Sequence, residues 1–472
     1  MKPLIIRGDA RHLPLQDTSV DLIVTSPPYF GLRSYTDACD QCGGEGRATR
    51  PDSHGVKVCP NGCESTARKR CHYCGESMRW PARKAAEPSS CTACSGTGQQ
   101  HYPGQIGSEP TPAAWLNALL DCTREWARVL KPDGNLFVNL GDKYAGGGEL
   151  APDIPPKAGP GDHLRRYGRV RPHGRHKSLL GLPWRYALAA CDQLGLILRS
   201  EIIWAKPNGL PESVTDRVRR AHEQVFHFTL RPRYYAAVDE IREGYGPATA
   251  KRYAAGYNPR KLDGQRPGIG TKLGGDTYGE NPLGKLPGSV WSIPSAPLTV
   301  PAHLGVDHFA AFPPALVRPI VLGWSPPGVC TACGEGRRPV ADRTRVLEPG
   351  RRALGLGATH AKHRIGMQTG GPDEASSLHH LNTYAITGYA CACARPDAPT
   401  RPSIVVDPFG GTGTTALVAS VHGRHGISVD LSADYCRLAA WRCHDPGERA
   451  RAADVPKPPA VPDGQEPLFE LG

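Results

Sequence analysis

Residues 404–430 constrain the fold more than any other stretch of the chain. Ile404-Val405-Val406 is a short β-branched run, Asp407 to Thr415 is a loop holding Gly410, Gly411 and Gly413, Thr415 to His422 reads as a short helix, and His425 to Val429 is a second strand. A strand that enters a helix through a glycine loop and returns as a second strand is a βαβ unit, which demands a mostly parallel sheet covered by helices. The glycines let backbone come close to a ligand, and the helix N-terminus behind them favours a polar or anionic group. Gly411, Gly413 and Ala416 also satisfy G-x-G-x-x-[G/A], with Asp430 at the end of the next strand placed to reach ribose hydroxyls. A nicotinamide-dependent oxidoreductase is therefore one reading. The Asp-Pro-Phe start of the loop and its place late in the chain, without further βαβ units beyond it, speak against that reading.

The remaining periodic segments fit the same architecture. Leu4-Ile5-Ile6 and Val20 to Val24 read as strands, and Trp115 to Leu130 shows helical spacing before a Pro132-Asp133-Gly134 turn and the strand Asn135 to Val138. Leu182 to Leu194 reads as a helix stopped by Gly195, with Leu196 to Trp204 extended after it. The 55 Gly and 47 Pro of this 472-residue chain are too many for regular structure throughout, so insertions are expected.

Thr25-Ser26-Pro27-Pro28-Tyr29 ends the second strand. An exocyclic amine is a poor nucleophile because its lone pair is conjugated with the ring, and hydrogen-bond acceptors localise that pair. Ser26 Oγ and the Pro27 carbonyl can accept the two N–H protons, while Pro27 and Pro28 fix the carbonyl direction. Tyr29 offers a ring face to a base rotated out of a duplex, as such chemistry requires.

These two segments resemble the motifs of the S-adenosylmethionine-dependent DNA amino-methyltransferases. Asp407 to Thr415 is similar to that family's D-P-F-x-G-x-G-T-T cofactor loop, and Ser26 to Tyr29 to its S-P-P-Y motif. The catalytic motif comes first and the cofactor loop last, the order of the permuted β group. The resemblance implies a Rossmann-like methyltransferase fold, catalysis by Ser26, Pro27, Pro28 and Tyr29, and cofactor binding by Asp407, Phe409, Gly411, Gly413, Thr414 and Asp430. Gly8-Asp9 looks like the family's adenine-contacting turn, which adds Asp9. His308 to Leu316 resembles the block that closes over the cofactor's methionine end, which adds His308. Glu125 to Val138, Ile203 to Asn208 and Arg217 to Glu223 look like further core blocks. Ser at the first motif position usually accompanies cytosine-N4 transfer, with adenine-N6 the alternative. Cytosine-C5 chemistry is disfavoured because no Pro-Cys nucleophile motif is present.

Twelve of the 16 cysteines have metal-ligand spacing. Cys39-x2-Cys42, Cys59-x3-Cys63, Cys71-x2-Cys74 and Cys91-x2-Cys94 supply eight thiolates, enough for two structural Zn sites. Cys39 to Gly46 and Cys91 to Gly98 resemble the DnaJ-type cysteine-rich domain, which implies nested pairing; adjacent pairing stays open. Cys330-x2-Cys333 and Cys391-x-Cys393 form a candidate third site across 57 intervening residues. Cys122, Cys191, Cys436 and Cys443 read as core thiols.

The expected organisation follows: methyltransferase core at 1–36, a zinc-binding insertion at 37–102, core at 103–240 with a basic loop at 145–178, and a target-recognition region at 241–300. Core resumes at 301–325, a second zinc-binding insertion fills 326–395, the cofactor-binding βαβ unit spans 396–445, and 446–472 reads as a disordered tail. The formal charge of +12 suits a polyanionic partner, here double-stranded DNA. No apolar run reaches membrane-spanning length, and the residues from Met1 to Asp9 lack a signal peptide's apolar stretch, so a cytoplasmic protein without a membrane partner is expected. A separate cognate restriction endonuclease is a possible partner. A non-catalytic zinc-dependent DNA-binding protein is the remote alternative.

Overall fold

The computed structural model describes residues 2–31, 105–145, 177–248 except 210, 283–347 except 302, 303, 305 and 307–311, and 380–457 except 396. It also describes short strands at 36–38, 57–58, 64–65 and 99–101. Eight strands form the central sheet: β1 (Leu4–Arg7), β2 (Val20–Thr25), β3 (Leu130–Leu140), β4 (Ile197–Ala205), β5 (His222–Thr229), β6 (Val290–Ser292), β7 (Ile404–Asp407) and β8 (His425–Asp430), in the order β1-β8-β7-β2-β3-β5-β4-β6. Pairs β1/β8, β8/β7, β7/β2, β2/β3 and β4/β6 are parallel, while β5 runs antiparallel to β3 and β4.

The helices lie on both faces because the strands are apolar on both. Helix α1 (Pro112–Val129) starts at Thr111, whose hydroxyl accepts the Ala114 N–H at 3.0 Å, with proline in the first turn where no donor is needed. With α2 (Leu182–Leu194) it buries Trp115, Leu119, Trp126 and Tyr186 against Phe226 and Phe228. The opposite face is covered by α3 (Pro314–Trp324) and α4 (Thr414–Val421), whose Leu316, Ile320, Leu417 and Val418 pack on Leu22, Val24, Phe137 and Val405. Helix α4 sits so close to β8 that a Cβ on Gly426 would stand 2.3 Å from the Ala416 carbonyl oxygen.

From β2 the chain passes through α1 to β3 on one side; from β7 it passes through α4 to β8 on the other. The two paths diverge between β7 and β2, and such a divergence opens a crevice at the carboxyl ends of the strands.

Several expectations change in detail. Pro132-Asp133-Gly134 lies within β3, as an irregularity between the Val20–Leu130 and Leu22–Asn135 pairs. The second insertion contains an antiparallel hairpin, Arg338–Leu347 with His380–Ala390, where long irregular chain was expected. Its β-branched residues Val340, Ile386 and Thr387 account for that. Residues 290–292 of the supposed recognition region form the sheet's edge strand. The tail begins with a helix: α6 (Pro446–Ala453) follows α5 (Ala433–His444) and is held to it by a buried Arg442–Glu448 ion pair at 2.6 Å, so disorder is not its state at 446–453. Residues 146–176 of the basic loop, 249–282 and 458–472 lie outside the described residues.

His227 on β5 stacks on Phe137 with ring centroids 4.2 Å apart, and its Nε2 is 2.9 Å from Asn135 Oδ1. Burial, aided by the Arg199 charge, pushes its pKa down to about 3 from 6.5, so the folded protein keeps the ring neutral. A folded pKa below the unfolded one gives stability that is complete above about pH 6.5 and is lost as pH falls toward 3. His227→Phe is therefore expected to lose less stability than the unmodified chain between pH 7 and pH 4, as read by urea unfolding. Equal losses would show that His227 does not contribute to the acid limb.

Candidate active site

The carboxyl ends of the parallel strands gather the residues singled out by sequence. β1 delivers Gly8-Asp9, β8 ends in Asp430, β7 leads into the glycine loop, and β2 leads into Ser26-Pro27-Pro28-Tyr29. Asp9, Ser26, Pro28, Phe409, Gly411 and Asp430 line one cleft, with Ile106 and Tyr435 among its other walls. Its empty volume is about 830 Å3 with the open mouth included.

The glycine loop is held from beneath. Gly413 has φ +74°, and a Cβ there would come within 2.8 Å of Ala439 Cβ on α5, so the loop can turn into α4 only with glycine at that place. The buried Arg442 guanidinium donates to Thr412 Oγ1 at 2.9 Å and Thr414 Oγ1 at 2.6 Å while paired with Glu448. Asp407 is fully buried and accepts the Phe409 N–H at 3.1 Å and the Thr415 hydroxyl at 3.0 Å; burial pushes its pKa up to about 7. Gly411 donates its N–H to Asp430 Oδ2 at 2.8 Å, and Ser432 donates to Asp430 Oδ1 at 2.9 Å. The rim carboxylate Asp9 is bridged by Arg11 at 2.6 Å. Burial works against its ionisation, but hydrogen bonds from the Arg11 side chain and backbone outweigh that and hold its pKa below the ordinary value.

The Ser-Pro-Pro-Tyr turn is fixed with equal definition. Trp115 Nε1 donates to the Pro28 carbonyl at 3.0 Å. A Cβ on Gly141 would lie 2.6 Å from the Tyr29 ring, so the end of β3 must be glycine for the ring to lie there. Tyr29 Oη donates to Glu223 Oε2 at 2.8 Å and stands 3.4 Å from Ser26 Oγ. Asn139 Nδ2 lies 3.0 Å from Tyr29 Oη, 2.9 Å from Glu223 Oε2 and 3.3 Å from Ser26 Oγ. Lys206 pairs with Glu223 Oε1, its ammonium 4.0 Å from the centre of the Trp204 ring.

The fold thus brings together all four residues of the turn, the glycine loop, Asp9 and Asp430. Asp407, Gly413 and Thr414 support the loop and do not line the cleft. His308 and Cys39, Cys42, Cys59, Cys63, Cys71, Cys74, Cys91 and Cys94 lie outside the described residues. Cys330, Cys333, Cys391 and Cys393 do converge, with their sulfurs all within 4.8 Å of one another. Sequence reading passed over Asn139, Arg11 and Arg442 and gave no role to Lys206 or Glu223. The position of Asn139 directly after the strand run ending at Val138 was the only signal it offered.

Comparison with known proteins agrees with this geometry. The DNA methylase family (N6_N4_Mtase) matches residues 20–331 and 399–440, leaving 332–398 outside the match. The Type II methyltransferase M.SmaI of Serratia marcescens is 35% identical over 327 residues, 69% of this chain and 76% of that protein. M.Cfr9I of Citrobacter freundii is 34% identical over 230 residues, 48% of this chain, and the match spans only 61% of its length. Among solved structures, the PvuII DNA methyltransferase (cytosine-N4-specific) aligns over 96% of this chain and 93% of its own at 14% identity and a TM-score of 0.42. By the family match and the relation to M.SmaI, this chain belongs to the N6_N4_Mtase family of DNA methylases.

Proposed function

We propose that the chain is a site-specific DNA methyltransferase that moves a methyl group from S-adenosylmethionine to the exocyclic amine of a flipped base, cytosine N4 ahead of adenine N6. The observation that carries this reading is the parallel pairing of β7 with β2, Val405 opposite Leu22 and Val406 opposite Ile23, which sets the glycine loop beside the Ser-Pro-Pro-Tyr turn.

The residues of the cleft fit the cofactor. A side chain at Gly411 would meet no protein atom nearer than 3.9 Å, so the missing Cβ leaves room for a ligand against the backbone. Asp430 and Asp9 offer acceptor oxygens for ribose hydroxyls and an adenine amine, and Phe409 and Ile106 offer apolar surface for the base. Bound there, S-adenosylmethionine supplies an electrophilic methyl group. The protein's part is to bind, orient and accept. Ser26 Oγ and the Pro27 carbonyl take the two amine hydrogens, the carbonyl of Pro28 being already occupied by Trp115. That division of labour, with serine at the first motif position, is what favours cytosine N4. Tyr29, its ring held by Gly141 and its hydroxyl by Glu223, faces a base extruded from duplex DNA.

We read 241–300 as the target-recognition region and a separate restriction endonuclease as the biological counterpart, in keeping with the Type II names of the relatives. Among the described residues no helix is long and apolar enough to cross a membrane.

We further assign a structural zinc ion to Cys330, Cys333, Cys391 and Cys393. Tetrahedral Zn–S bonds of about 2.3 Å put sulfurs about 3.8 Å apart; here Cys330–Cys393 is 3.9 Å and Cys391–Cys393 is 3.5 Å. Gly334 at φ +75° closes the first knuckle by donating to the Cys330 carbonyl at 2.9 Å. Both knuckles stand at the root of the hairpin Arg338–Leu347/His380–Ala390 and would fasten it.

Two outcomes are expected. Host DNA from cells expressing this chain, digested to nucleosides and read by mass spectrometry, carries N4-methylcytosine, and Ser26→Ala lowers the rate about 100-fold. N6-methyladenine would reverse the choice of base, and the absence of either would overturn the enzyme assignment. Replacing Cys330 and Cys393 by serine removes one zinc per chain relative to the unmodified protein by elemental analysis; an unchanged zinc content refutes the third site.

A further inference from the structure

Four strand ends converge behind the Ser-Pro-Pro-Tyr turn: β2 carries Ser26 and Tyr29, β3 carries Asn139, and Glu223 and Lys206 come from the adjoining ends of β5 and β4. We infer that Glu223 is a positioning residue that sets the direction of the hydroxyl chain through Tyr29, so that Ser26 meets the target amine as an acceptor and not as a donor. This rests on the amino-methyltransferase reading.

The direction follows from which groups can only give and which can only take. A carboxylate accepts only, and an ammonium donates only. Lys206 takes Oε1 of the Glu223 carboxylate, and Oε2 takes the Tyr29 hydrogen at 2.8 Å. Having given that hydrogen away, Tyr29 Oη is an acceptor toward its other neighbours, Asn139 Nδ2 at 3.0 Å and Ser26 Oγ at 3.4 Å. The Ser26 hydrogen then points to Tyr29, back into the protein. At most one Ser26 lone pair is engaged by Asn139, at 3.3 Å, and the other is presented on the side of the cleft that Ser26 lines.

Asn139 reinforces the same polarity. Its Nδ2 faces three oxygens, and turning the amide over would set its carbonyl against the Glu223 carboxylate; the observed sense leaves Asn139 Oδ1 buried without a partner among the described residues. A buried acceptor left unsatisfied costs free energy, but the reversed amide would set its oxygen against the Glu223 carboxylate.

Glutamine at 223 would present an NH2 group where Tyr29 and Asn139 both offer hydrogens. Tyr29 then turns its hydrogen elsewhere, Ser26 loses its acceptor inside the protein, and its hydroxyl hydrogen is driven toward the amine that it should receive. An acceptor that becomes a donor opposes localisation of the amine lone pair, which is needed in the transition state more than in binding.

The test compares the unmodified chain with Glu223→Gln, Tyr29→Phe and the double variant, measuring kcat and KM for methyl transfer to DNA and the Kd for S-adenosylmethionine. Glu223→Gln is expected to lower kcat about 100-fold, with KM for DNA and cofactor Kd within about twofold of the unmodified chain. Tyr29→Phe keeps the ring and cuts the chain of hydroxyls, so it falls similarly, and the double variant falls no further than either single one, because both act through one path. Independent, multiplying losses would overturn the inference, as would a Glu223→Gln variant that retains kcat or loses only binding. Should Glu223→Gln fail to fold, Tyr29→Phe alone decides, since an undiminished kcat there breaks the proposed chain. An unmodified chain that methylates nothing would sink the functional reading and this inference with it.

Discussion

The site depends on one non-local pairing, that of β7 with β2. Ile404 donates its N–H to Asp21 Oδ2 at 2.8 Å across 383 residues of sequence, and the other oxygen of Asp21 pairs with Lys131 at 2.5 Å near the start of β3. One buried carboxylate therefore fixes three adjacent strands at their lower ends. Burial raises its pKa, against the opposing pull of Lys131. A buried pair of this kind gives little net stability, since desolvation offsets the attraction, but it penalises any other register. A slip of one residue would exchange the two packed faces of β7, Val405 on one and Val406 on the other, and shift the glycine loop relative to Ser26.

Above that anchor, helix α1 acts as a strut for three loops. Trp115 and Trp126 are eleven residues apart, about 16 Å along the helix. Trp115 donates to the Pro28 carbonyl, and Trp126 donates to the Ala10 carbonyl at 3.1 Å while its ring meets Phe409 edge-on at 5.9 Å. An indole has a single N–H, and each is spent on the backbone of a site loop. The Ser-Pro-Pro-Tyr turn, the Asp9 turn and the glycine loop are thus all referred to one rigid helix, so their relative positions do not rest on the loops' own stiffness. Arg442 does the corresponding work from α5.

Much of this was legible in the sequence, because strand-loop-helix order and glycine placement are local signals. The βαβ unit at 404–430, the helix at Leu182–Leu194 with its Gly195 cap and the strand before Ser26 all stand where periodicity put them. Asn139, Lys206 and Glu223 were not legible as a set, since three polar residues on three strands share no pattern until antiparallel β5 is inserted between β3 and β4. The Pro446–Ala453 helix was missed for a related reason. Its charge-rich composition looks like solvated chain, yet Glu448 and Arg442 bury one another's charge and let Ala450 and Ala452 pack. The four-cysteine cluster shows the opposite case: spacing alone paired Cys330 and Cys333 with Cys391 and Cys393, because ligand geometry restricts sequence even when the chain between is long.

The sheet edge separates two kinds of polar chemistry that must not interfere. On the β1–β8–β7 side, Asp9 and Asp430 face the cleft; on the β3–β5–β4 side, Glu223 stands behind the turn. Asp9 pairs with Arg11 and Glu223 with Lys206, which limits the negative potential along this edge. Ser26 and Pro28 stand at the boundary, lining the cleft while belonging to the turn. Their place follows from β2 being the strand next to the divergence of the two chain paths. Topology, through that single adjacency, decides which serine hydroxyl stands between the glycine-loop cleft on one side and the Tyr29–Asn139–Glu223 cluster on the other.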